Sequence, residues 1–225
     1  MIVGSTQPWR PPIRHQHGTF SWVELTTPDV DRAIDFYTRV FGWSVADGDL
    51  FTLGGRRVAG VRYGESSRWI PSVVVADTAS ILAVATGAGG TVDTRGPIAR
   101  ITDPGGAPLG LRQADSALAG WVGHEGCLRW TVLTTPDLPA AKAFYGGVLG
   151  WEMHKHPDDP GEYQIIRNRG SDAGGMKPMN EGTRSGAGSW MAYFSSHGVD
   201  EVSQRAVDAG GELIFGTARA STGNV

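Results

Sequence analysis

The imidazoles and thiols that would ligate a transition metal or supply a strong nucleophile are few in this chain, and they are scattered. It has six histidines and one cysteine. Cys127 has no second thiol for a disulfide or a cysteine-rich zinc site and no partner motif, so it reads as a packing residue. His154 and His156 stand two apart on an expected strand, where they share a face, and Asp158 or Glu162 could complete a metal site with them. Lys155, Pro157, Asp158, Asp159, Pro160 and Gly161 surround the pair with turn and charge, which reads instead as a solvated strand end. His15 and His17 lie in a proline-rich arm, His124 in a linker and His197 in a turn before a helix, and all four read as surface residues. The pairs Gly54-Gly55, Gly89-Gly90, Gly105-Gly106, Gly174-Gly175 and Gly210-Gly211 mark turns or helix ends. None has the strand, G-x-G-x-x-G and helix context of a dinucleotide site. No G-x-S-x-G elbow supports nucleophilic hydrolysis.

Composition narrows the classes further. The chain has 225 residues, 40% hydrophobic and 19% charged, enough for one large core or two smaller ones. Its 20 basic and 23 acidic residues, with no basic cluster longer than Arg56-Arg57, leave no footprint for a phosphate backbone, so nucleic acid is not an expected partner. No apolar run approaches the roughly 18 residues of a membrane span. Residues 1–18 carry Pro8, Pro11 and Pro12 where a signal peptide would be apolar, and a cytoplasmic protein is expected.

The elements that must position any site appear twice. Phe20 to Trp43 overlays Leu128 to Trp151 at a constant offset of 108, with 12 of 24 pairs identical. This implies two homologous domains, 20–114 and 127–225, with an N-terminal arm over 1–19 and a linker over 115–126. Phe20 to Thr26 alternates like a strand, and Pro28-Asp29 stops it and offers a helix cap. Val30, Ala33, Ile34, Tyr37, Val40 and Phe41 then recur at helical spacing until Gly42. Leu138, Ala141, Tyr145, Val148 and Leu149 do the same before Gly150, with Asp137 as cap. Short strands follow at 50–53, 58–63, 163–167 and 174–178. A weaker strand–helix copy begins at Trp69 and another at Trp190, giving four units.

Such strand–helix–three-strand modules taken in pairs, with Thr-Pro-Asp, Phe-Tyr and Gly-Trp after the first strand and Asp103-Pro-Gly-Gly-Ala-Pro-Leu109 near the end, resemble the vicinal oxygen chelate superfamily. That group includes glyoxalase I, bleomycin-resistance proteins and extradiol dioxygenases. The resemblance covers about residues 20–113 and 128–225 and implies an α+β fold: tandem glyoxalase-like domains of paired βαβββ modules, forming open cup-shaped sheets with helices outside. It does not fix a reaction. Metal enzymes of the family carry a histidine on the first strand of a module, another on the first strand of the next, and a glutamate on a last strand. Here the first position falls on Trp22 and Trp130, the second on Trp69 and Trp190, and the glutamate position of the first domain on Gly110. An indole offers only an N–H donor, so no metal or other cofactor is expected. The matching last strand of the second domain is missing. Its sheet edge would then be covered by the arm, by a second copy of the chain in a homodimer, or by a tail.

Two readings of the four tryptophans stay open. They fill the cups with apolar volume, or they line a cavity that grips a flat hydrophobic or aromatic molecule. If Trp22 points inward, Glu24 and Thr26 do too, while Val23 and Leu25 turn to the helix layer. The same parity brings Val132 and Thr134, Pro71 and Val73, and Ala192 and Phe194 inward. Glu24 among indoles would have a raised pKa and could act as a general acid or base; alternatively it pairs with an arginine such as Arg112. The expected site is therefore Glu24 with Trp22, Trp69, Trp130, Trp190, Thr26, Val73, Thr134, Phe194 and Arg112. It would bind an aromatic natural product without metal, as in antibiotic binding or resistance, or act as a metal-free isomerase, cyclase or lyase of biosynthesis. Metal-dependent glyoxalase or dioxygenase chemistry fits these residues worst.

Overall fold

The same Thr-Thr-Pro-Asp run turns a strand into a helix twice. In the computed structural model, which describes residues 2–4, 16–113, 122–180 and 186–214, Asp29 caps the first helix by accepting from the Arg32 N–H, and Asp137 caps its counterpart by accepting from Ala140. The second threonine of each Thr-Thr-Pro-Asp run accepts from the aspartate's own N–H, Thr27 from Asp29 and Thr135 from Asp137, which fixes the turn. Gly42 and Gly150 end the two helices at φ 68° and 71°, a conformation that costs glycine little.

In chain order the first half comprises β1 (Ile2–Gly4), β2 (Phe20–Thr27), α1 (Val30–Phe41), β3 (Ser44–Ala46), β4 (Leu50–Leu53), β5 (Arg56–Tyr63), β6 (Arg68–Val75), α2 (Thr78–Gly87), β7 (Thr91–Asp93), β8 (Ala99–Thr102) and β9 (Pro108–Gln113). The second half comprises β10 (Leu128–Thr135), α3 (Leu138–Leu149), β11 (Glu152–Lys155), β12 (Gln164–Asn168), β13 (Ser171–Pro178), β14 (Ser189–Ser196) and α4 (Val199–Asp208). They form an eight-stranded sheet, β3-β4-β5-β2-β6-β9-β8-β7, and a six-stranded sheet, β1-β14-β10-β13-β12-β11, both open. Within a module the first strand pairs parallel with the last, as β2 does with β5, β6 with β9 and β10 with β13. The first strands of adjacent modules pair antiparallel, β2 with β6 and β10 with β14.

The parallel partner of β14 comes from the other end of the chain. Ile2, Val3 and Gly4 pair parallel with Phe194, Ser195 and Ser196, so the N-terminal arm occupies the place a fourth module's last strand would take. Of the expected covers for that edge, residues 2–4 of the arm are the ones found there among the described residues, and a second copy joining at these residues would have to displace them. The last strand of the second domain would fall beyond residue 214, outside the described residues, as does most of the 115–126 linker.

The two sheets meet through their helix-bearing sides, so the concave faces point away from each other. α1 packs on α4, α2 on α3, and β6 on β14. Two apolar clusters result, and each draws on both halves. One joins Val73, Ile81, Ile101 and Leu109 to Leu133, Tyr145, Trp151 and Trp190; the other joins Val23, Leu25, Trp43, Phe51 and Val61 to Cys127, Ala192 and Phe194. The Gly-Trp tryptophans brace this seam. Trp43 Nε1 donates to the Gly126 carbonyl at 2.9 Å, just before β10, and Trp151 Nε1 donates to the Gly18 carbonyl at 2.9 Å, just before β2. No helix among the described residues is long and apolar enough to cross a membrane.

Candidate functional site

A bulge repeated in the first strand of each half decides which aromatic faces the cup. In β2 the register shifts between Phe20, opposite Val73, and Trp22, opposite Ser72; in β10 it shifts between Leu128 and Trp130. One extra residue reverses the side-chain parity. Phe20 therefore enters the core, its ring 5.3 Å from Trp151 and 5.4 Å from Trp190, while Trp22 turns to the concave face.

The expected second tryptophans do not share that face. Leu25 stands opposite Trp69 and Leu133 opposite Trp190, so both indoles lie on the helix side. Trp69 Nε1 donates to the Tyr37 hydroxyl at 3.0 Å, and Trp69 packs 5.2 Å from Phe194. Trp190 lies 5.6 Å from Tyr145, whose fully buried hydroxyl is pushed well above the usual phenol range. Val73 and Phe194 are also in these cores, with Pro71 and Ala192 on the same side of their strands. The inward assignment of Trp69, Trp190, Val73 and Phe194 is thus corrected. It carried the parity of Trp22 over to the tryptophans that open the second modules, whereas Trp22 pairs with Ser72, three residues after Trp69, and an odd offset exchanges the faces. The duplicated Phe-Tyr, Gly-Trp and second-strand Trp form matching core triads, Tyr37–Trp43–Trp69 and Tyr145–Trp151–Trp190.

On the first concave face Trp22, Glu24 and Thr26 alternate along β2. Gly60 leaves room for them, since a Cβ there would lie 3.2 Å from the Trp22 ring. Glu24 is 3% exposed and doubly paired: Arg62 on β5 reaches one carboxylate oxygen at 2.6 Å, and Arg100 on β8 donates to the other. Arg112 on β9 lies over the Trp22 ring, 4.9 Å from its centroid. Burial lowers the Arg112 guanidinium to about 10, with Glu24 drawing it back up and Arg57 pressing it down. Arg112 is thus a neighbour of Glu24, but its direct partners are Arg62 and Arg100. An oily chamber is not what forms: a cavity of about 430 Å³ opens above this pair, walled by Thr26, Arg62, Arg68, Ile70 and Arg100, with Tyr63, 72% exposed, at its edge.

Three buried donors on this face have no acceptor among the described residues: Trp22 Nε1, Arg62 Nε and one terminal nitrogen of Arg112. The donor set does not suit a metal. Trp22, Ser72 opposite it and Gly110 opposite Ser72 occupy the three strands that would converge on an ion, and none offers an imidazole or carboxylate. A Cβ at Gly110 would lie 2.1 Å from Ser72 Oγ, so a carboxylate side chain has no room there. Among the described residues no three His, Cys, Asp or Glu side chains gather in a metal-binding group. His154 lies 3.2 Å from Glu152, and the His156 ring accepts from the Asp158 N–H beside Tyr163.

The second concave face carries Trp130, Val132 and Thr134 along β10, with Tyr193 opposite Trp130 and Met191 opposite Val132. Tyr163 fills it. Trp130 Nε1 donates to the Tyr163 hydroxyl at 3.0 Å, and that hydroxyl occupies the space a side chain at Gly175 would need. Burial raises the phenols of Tyr163 and Tyr193. Arg62, Arg68 and Arg100 were not among the expected residues; the available signal was their alternation with small or apolar residues on β5, β6 and β8.

The family model described as the Glyoxalase/Bleomycin resistance protein/Dioxygenase superfamily matches residues 19–72 and 128–225. "Putative glyoxylase CFP32" of Mycobacterium bovis is 30% identical over 226 residues, covering 89% of this chain and 85% of that protein. "Anthracycline biosynthesis protein DauV" of Streptomyces sp. (strain C5) is 26% identical over 249 residues, with the same coverage of 89% and 85%. Among solved structures, 2,2',3-trihydroxybiphenyl 1,2-dioxygenase of Sphingomonas wittichii strain RW1 superposes with a TM-score of 0.60 at 16% identity, covering 92% of this chain and 83% of that one. At that identity the likeness is one of fold.

Proposed function

Because this chain belongs to the glyoxalase/bleomycin resistance protein/dioxygenase superfamily, we propose that it binds an aromatic small molecule in the first concave face, in the biosynthesis or sequestration of a natural product. The observation that carries this reading is the cavity of about 430 Å³ above the Glu24 ion pairs, within the size range of small-molecule sites. Tyr63, largely exposed at its edge, offers a ring for stacking. Relatives named for anthracycline biosynthesis support a flat polycyclic ligand. The donor set favours a role without a metal ion, since the residues converging on the family's metal position are an indole, a hydroxyl and a glycine.

Binding is favoured over proton transfer by Glu24. Both of its oxygens are held in ion pairs with guanidinium groups, which leaves the carboxylate poorly placed to take a proton from a ligand. A fluorescence titration of the full chain with planar aromatic compounds of two to four fused rings tests the reading through its tryptophan emission. Saturable quenching with a micromolar Kd is expected, weakened roughly three- to tenfold by Tyr63→Ala, the range of one aromatic contact. Silence across the panel would remove the proposal.

A further inference from the structure

The strongest unexplained feature of the molecule is an excess of cationic donors on the first concave face. Arg62, Arg68 and Arg100 wall the cavity, and Arg112 with the charge of Arg57 continues the same surface. Against these five stand Glu24, and Glu65 at the rim. Asp93, the next carboxylate that Arg100 influences, is itself held by two side-chain nitrogens of Arg95. A chain with a net charge of −3 has thus gathered positive charge in one concave site.

Burial makes that excess informative. Trp22 is 2% exposed and Arg112 5% exposed, yet Trp22 Nε1 and an Arg112 nitrogen have no acceptor among the described residues, nor has Arg62 Nε. Buried donors ordinarily find partners, and buried guanidinium groups find anions. All the unmet groups here are donors, so the face is complementary to an acceptor carrying negative charge. Glu24 cannot meet the demand, because its two oxygens are engaged by Arg62 and Arg100. It acts instead as an internal counter-ion, holding Arg62 and Arg100 where both line the cavity.

Resting on the binding reading above, we infer that the first cup recognises a carboxylate-bearing aromatic ligand, its oxyanion taken by Arg62, Arg68 and Arg100 and its ring lying against Ile70 and Tyr63. Arg68 is exposed and makes no ion pair with Glu24, so it reports on the ligand without disturbing the buried pair. Calorimetry of the full chain with benzoate, 2-naphthoate and anthraquinone-2-carboxylate, each beside its methyl ester, tests the inference. At least one acid should bind about tenfold or more tightly than its ester at low salt, an advantage that shrinks as ionic strength rises. Arg68→Ala should weaken that acid about tenfold and leave the ester unchanged, with the melting temperature of the variant confirming its fold. Equal binding of acid and ester, or equal weakening of both by Arg68→Ala, overturns the anion assignment and leaves the aromatic site standing. No binding by any acid or ester overturns both.

Discussion

At the scale of single residues, the chemistry of this protein turns on how one carboxylate is held. Glu24 was legible as the lone acid of an inward-facing strand, because alternation from Trp22 requires it. Its partners were not legible, since Arg62 and Arg100 lie 38 and 76 residues further along and meet it only once β5, β2, β6, β9 and β8 are assembled in that order. The arrangement predicts that Glu24→Gln acts on stability. Removing one side of a nearly buried ion pair strands the other, here two guanidinium groups at once, with a cost of about 2–3 kcal/mol after allowance for their partial exposure. A melting temperature lower by several degrees, measured by circular dichroism, is the expected outcome. An unchanged melting point would mean that the ion pairs contribute nothing net.

At the scale of elements, the repeated motif does structural work. Phe-Tyr, Gly-Trp and the tryptophan of the following module form one core triad per half, and each Gly-Trp indole is hydrogen-bonded to backbone leading into the other half's first strand. His17 adds a further junction. Its Nδ1 accepts from the Ala76 N–H at 3.3 Å, and its ring also bonds to the backbone of Leu149 at the end of α3. Burial first, and then the charge of Arg169, lowers its pKa below the ordinary 6.5. The folded state therefore binds the proton less readily than the unfolded chain. The stabilisation is complete above pH 6.5 and is lost as pH falls through the lowered folded value. Urea unfolding measured from pH 7.5 to 5 should show this decline, and His17→Gln should flatten it. An equal slope in the variant would assign the pH dependence to other groups.

At the scale of the whole molecule, duplication has not produced two self-sufficient bodies. Both apolar clusters take residues from either side of the linker, and β1 joins the sheet of the second half although it begins the chain. Parting the halves would expose Trp43, Trp151, Phe20 and Phe194, all of them buried. One cooperative unfolding transition is expected, with tryptophan fluorescence and far-ultraviolet circular dichroism coinciding across a urea series. Two separated transitions would contradict the shared core.

The sequence by itself determined the module grammar: four strand–helix units, the aspartate caps, the glycine stops and the α+β fold, because each rests on local periodicity and backbone chemistry. It also determined that indoles rather than imidazoles, Trp22 and Trp130, stand third in the two first strands. Only the tertiary structure decided which tryptophans face a cup, because bulges in β2 and β10 and an odd register offset reverse side-chain direction without altering the apparent alternation. Only assembly decided the character of the cup as well. Arginines distant in sequence converge on Glu24 through sheet order, which turns a surface expected to be oily into one suited to an anion.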